Sequence, residues 1–117
     1  MQLEARTLLF DILEAARLIQ RFTLGRDFEA YAADAMLRSA VERQFEIIGE
    51  ALNKLTKVDP GRASQIPEYQ KIIAFRNVLI HGYATVVDDV VWGVVQTKLP
   101  LLLETVETLL GTGESAE

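Results

Sequence analysis

Apolar residues recur every three or four positions along almost the whole chain, and that period leaves little room for anything but helices. Leu8, Ile12, Ala16, Ile19 and Phe22 share one face of a helix over residues 3–23, with Leu9 and Leu13 widening the stripe. Gly25 stops this helix, and Asp27 suits the N-cap of the next. From Phe28 to Leu55 the positions Tyr31, Ala35, Val41, Phe45, Ile48, Leu52 and Leu55 keep the same spacing, with one irregular step near Met36–Ala40. Asp59-Pro60-Gly61 reads as a turn.

Pro67 suits the first turn of a third helix, with Glu68 beside the positive end of its dipole. That helix carries Ile72, Ile73, Phe75, Val78, Leu79 and Ile80 and then meets Gly82. A fourth begins near Asp88 or Asp89 and runs to about Leu110. Its valines at 86, 87, 90, 91, 94 and 95 alone would suggest a strand, but Trp92, Leu99, Leu102, Val106 and Leu109 continue a helical period. Pro100 is expected to kink this helix rather than end it. Four long helices joined by short turns predict an all-α, antiparallel four-helix bundle. Residues 1–110 form one domain in this reading, and the acidic tail 111–117 is expected to be disordered.

Several chemistries are excluded by composition. Without cysteine there are no disulfides or thiolate metal sites, and a single histidine makes structural zinc implausible. No cofactor is expected. No apolar run approaches the roughly 20 residues that span a bilayer, and the N-terminus lacks the pattern of a signal peptide. The expectation is a soluble, cytoplasmic protein. Half of the 117 residues are hydrophobic, more than a domain this small readily buries, which points to a second subunit covering part of the surface. The net charge of −5 argues against a general nucleic-acid coat. Residues 1–98 carry 13 acids and 12 bases, so a local basic patch remains open.

One short run can carry chemistry. His81 is the only histidine, the residue type suited to proton transfer near neutral pH, and Arg76, Asn77 and Tyr83 lie within five positions of it. At about 100° per residue, Asn77 and His81 share a helix face, as do Arg76 and Tyr83, whereas Arg76 and His81 stand about 140° apart. Arg76 and His81 therefore meet only if the helix ends around His81, which Gly82 permits, or if a second subunit supplies its own copy. A lone histidine at a helix C-terminus is otherwise a favourable dipole partner and nothing more.

Arg-x4-His-x-Tyr, here Arg76, His81 and Tyr83 with Asn77 after the arginine, resembles the signature of the HEPN superfamily, and in particular its HepT-type toxins. Ile47-Ile48-Gly49-Glu50-Ala51, Val91-Trp92 and Leu99-Pro100 fit the same family, so that the resemblance spans roughly residues 5–110. It departs where such proteins often carry Trp shortly before the arginine and this chain has Tyr69 or Phe75. The resemblance implies a homodimeric, metal-independent endoribonuclease with Arg76 and His81 catalytic and Asn77 in support. It also implies that RNA is the substrate, with a 2′,3′-cyclic phosphate as product. Further, it implies the toxin of a type VII-like toxin–antitoxin pair, silenced when a nucleotidyltransferase antitoxin adenylylates Tyr83.

Two other classes compete. A non-catalytic HEPN module partnering a nucleotidyltransferase would have no evident use for Arg76, His81 and Tyr83 together. A phosphorelay histidine usually sits mid-helix before a basic residue, whereas His81 precedes Gly82-Tyr83. Glu50 is expected at a helix interface or opposite Arg76 of a second subunit, and Trp92 in packing rather than base stacking.

Overall fold

The helices form where the apolar period asks for them, while side-chain caps and prolines decide where they break. The computed structural model describes residues 1–82 and 87–115, with side-chain surroundings described as far as Gly111. Every described element is a helix: α1 (Leu3–Thr23), α2 (Phe28–Ala33), α3 (Ala35–Val58), α4 (Pro60–Ala63), α5 (Tyr69–His81), α6 (Asp88–Thr97) and α7 (Leu99–Ser115). The all-α bundle expected from the sequence is what forms, with the second and fourth of the long segments each cut into two helices.

Asp34 divides the second segment. Its N–H donates to the Tyr31 carbonyl and closes α2, while its carboxylate accepts from the Leu37 N–H at 3.0 Å and opens α3. Ala35, expected on the apolar face, is exposed as the first residue of α3. The Asp59-Pro60-Gly61 turn winds on into the one-turn helix α4, with Asp59 accepting from the Arg62 N–H at 3.1 Å and Pro60 in the first turn.

Pro67 lies outside α5 rather than in its first turn. Glu68 takes the cap position in the left-handed region at φ 58°, a conformation that costs a non-glycine residue about 1 kcal/mol or more. Its carboxylate makes no capping bond to the helix and instead reaches Lys98 at 2.8 Å and Lys71 at 3.5 Å. The hydrogen bond from Lys98, reinforced by the charge of Lys71, holds that carboxyl below its ordinary range. At Pro100 the expected kink separates α6 from α7 at Lys98. The Lys98 N–H still donates to the Val94 carbonyl and the Leu102 N–H to the Lys98 carbonyl, so main-chain bonds flank the break at Pro100, which has no N–H to give. The last helix is assigned through Ser115, beyond the boundary drawn at residue 110.

The core is made chiefly by α1, which packs on α3 and α7, while α3 also carries α5. Leu9, Ile12 and Ile19 of α1, Ile48, Leu52 and Leu55 of α3, and Leu99 and Val106 of α7 are all but sealed from solvent. The molecule measures 46 × 29 × 19 Å, so its short axis is only about two helix diameters and an edge helix has few neighbours to bury against. Helix α5 is in that position: Leu79 alone of its 13 residues is buried, against nine of 21 in α1. Val78 of α5, with Val87, Val90 and Leu101 nearby in sequence or along the last helices, remains about half exposed. No described helix is long and apolar enough to cross a membrane.

Candidate functional site

Helix α5 brings the polar motif to the edge of the bundle. Its apolar residues hold it in place: Phe75 meets Phe45 of α3 edge-on at 5.4 Å between ring centroids, and Leu79 is buried. Between these anchors Arg76 lies half-buried and Asn77 exposed. The Arg76 guanidinium donates from Nη1 to Asn77 Oδ1 at 2.9 Å, so Asn77 fixes the arginine. The Arg76 Nε is buried and has no acceptor among the described residues.

The aliphatic stem of Arg76 runs directly over Gly49 of α3. A Cβ placed on Gly49 would stand 2.2 Å from Arg76 Cβ and 2.7 Å from its Cγ. Sequence reasoning found Gly49 only as part of a matching segment; a buried glycine in mid-helix, which costs helix stability, was the signal for this close approach. The adjacent Glu50 faces outward and pairs with Lys54 at 3.6 Å along its own helix.

His81 is exposed and is the last residue of α5. Gly82 caps the helix, its N–H donating to the Val78 carbonyl at 2.7 Å. The helix is thus continuous from Arg76 to His81 and the break falls beyond both. Of the two ways for arginine and histidine to meet, the helix end at Gly82 does not supply one within the chain, because the offset of about 140° persists. Tyr83 lies outside the described residues.

Helix α6 begins at a second polar group that the sequence did not single out. Arg38 of α3 pairs with Asp88 at 3.8 Å and also donates to the Ala32 carbonyl, tying α6 to the α2–α3 corner. Trp92 packs on Tyr31 at 5.3 Å, in a packing role as expected. Burial, with the charges of Glu42 and Asp88, pushes the Tyr31 phenol upward, and burial followed by Asp88 raises the Glu42 carboxyl. Among the described residues no group of three or more His, Cys, Asp or Glu is placed to hold a metal ion.

Comparison with known proteins agrees with the motif. Residues 12–109 match the family described as ribonuclease HepT-like. The chain is 31% identical over 104 residues to a Methanocaldococcus jannaschii protein named "Putative RNase MJ1380", covering 89% of this chain and 94% of that one. It is 36% identical over 92 residues to "Probable ribonuclease HepT" of Thermococcus cleftensis, covering 79% and 83%. A Caldanaerobacter subterraneus protein, "Putative RNase TTE0752", is 31% identical over 105 residues, covering 90% and 93%. No solved structure matches the chain. A match that takes in the segment around Gly49, the whole of α5 and the kinked last helices places this chain in the HepT-like ribonuclease family of the HEPN superfamily.

Proposed function

We propose that the protein is a metal-independent endoribonuclease whose site is completed by a second copy of the chain. The observation that carries this reading is the unbroken helix between Arg76 and His81 on an exposed edge of the bundle. Two residues held on different faces of one helix work on one phosphate most simply when two such helices face each other. The half-exposed Val78 on that helix supports such a contact.

The chemistry follows from the residue types. One His81 takes the proton of the RNA 2′-hydroxyl, the 2′-oxygen attacks phosphorus, and the bond to the 5′-oxygen breaks as the second His81 protonates it. The products are a 2′,3′-cyclic phosphate and a 5′-hydroxyl. Arg76 grips the non-bridging oxygens as negative charge builds on the phosphorane, using the two-pronged geometry that lysine lacks. Asn77, bonded to Nη1, keeps the fork turned toward the phosphate.

In the cell we assign this activity to the cytoplasm, as the toxin of a type VII-like toxin–antitoxin pair. Its antitoxin is a nucleotidyltransferase that adenylylates Tyr83. An adenylyl group two residues from His81 places bulk and negative charge where the RNA phosphate binds and silences the enzyme.

The test is cleavage of RNA by purified protein in EDTA, with His81→Ala and Arg76→Ala alongside. Cleavage that ends in cyclic phosphate and disappears in both variants supports the reading. Equal cleavage by the variants overturns it.

A further inference from the structure

Glycine in the middle of a helix is unfavourable relative to alanine, so its presence there calls for a compensating reason. The backbone of Gly49 is ordinary right-handed helix, so no special conformation supplies one. Packing does. Carbon atoms in contact settle about 3.5–4.0 Å apart, whereas a Cβ on Gly49 would lie 2.2 Å from Arg76 Cβ.

Rotation of the arginine side chain cannot relieve that overlap, since a Cβ is fixed by its own backbone. Helix α5 itself would have to move by more than about 1 Å at Arg76. Gly93 of α6 is the internal contrast: a Cβ there meets nothing within 4 Å. The Arg76 Nε is itself buried, while the tip of the guanidinium reaches Asn77.

We propose that Gly49 is a positioning residue for the phosphate-binding arginine: its bare backbone is the bed on which the Arg76 stem lies, fixing the depth and direction from which the guanidinium emerges. This inference rests on the ribonuclease reading for its functional consequence, though not for the geometry. Displacement of a binding group by about 1 Å costs on the order of 100-fold in rate. Gly49→Ala is therefore expected to lower kcat by about that factor while KM changes by no more than about threefold, the pattern of a contact made in the transition state.

The geometry has its own readout. The Arg76 Nε–H, identified in nitrogen-correlated NMR spectra by its disappearance in Arg76→Lys, is expected to exchange with water more slowly than those of the exposed Arg17 and Arg43. In Gly49→Ala it is expected to shift and exchange faster, while Gly93→Ala leaves both this signal and cleavage unchanged. Fast exchange in the native protein overturns the proposal whether or not Gly49→Ala folds. So does a folded Gly49→Ala protein with native kcat and an unmoved signal. If Arg76→Ala cleaves RNA as well as the native protein, the ribonuclease reading fails instead, and the NMR signal still decides where the arginine lies.

Discussion

Helices α1 and α5 are both rich in apolar residues, but α1 gathers them in one stripe and α5 spreads them around its circumference. Helix α1 packs against both α3 and α7, and its stripe from Leu8 to Ile19 is sealed in the core. Helix α5 lies on α3 and keeps Val78, Asn77 and His81 open. A helix with neighbours on two sides spends its apolar face on stability. One with a single principal neighbour has a face left over, and that is the helix carrying the polar motif.

The contrast can be broken by substitution. The largest effects are expected at Arg76→Ala and His81→Ala, which should each lower RNA cleavage by about 100- to 10,000-fold, as loss of a proton-transfer or charge-stabilising group does. Their melting temperatures should stay close to native, because His81 is exposed and Arg76 half-buried. Next comes Ile12→Ala in α1, fully buried, which should cost about 2–5 kcal/mol in chemical denaturation. Val78→Ala in α5 should cost the isolated fold less than about 1 kcal/mol. A larger loss at Val78 than at Ile12 would mean that α5, and not α1, is the structural helix.

Smaller effects test the breaks between helices. Asp59→Ala removes both the cap of α4 and the 2.7 Å pair with Arg62, and should cost about 1 kcal/mol. The Asp59 carboxyl is held low by the Arg62 side chain, and that of Asp34 by the Leu37 N–H. A carboxyl lowered on folding contributes stability above its unfolded value, and that contribution disappears as the pH falls through the folded one. Stability measured by denaturation should therefore decline below about pH 4, and less steeply in Asp59→Ala. The smallest change expected is a gain: Gly93→Ala, with open space at its Cβ, should stabilise the protein by about 0.5–1 kcal/mol.

Much of this division was legible in the sequence. The stripe from Leu8 to Ile19 declares α1, and the continued period through Leu99 to Leu109 rightly outweighs the strand-like valines before it. The break at Asp34 was not legible, because an aspartate in a long apolar period either points to solvent or folds back on the main chain, and only tertiary packing selects. Pro67 misled for a related reason: the chain turns left-handed at Glu68, whose carboxylate is held by Lys98 thirty residues away, so the helix begins only at Tyr69. At the site, Arg76 and His81 were visible as residue types, and their mutual angle followed from helical geometry once α5 proved continuous. The role of Gly49 was hidden, since it depends on where another helix crosses.

In the proposed mechanism, cleavage needs both copies of α5. Native protein mixed with an equal amount of His81→Ala, after subunit exchange, distributes as native, mixed and variant dimers. If both histidines act at one phosphate, only the native dimers cleave, and activity per total protein falls to about one quarter of native. Activity that instead settles at about one half, in proportion to the native chain present, would mean that one histidine suffices at each site and would contradict the two-histidine mechanism.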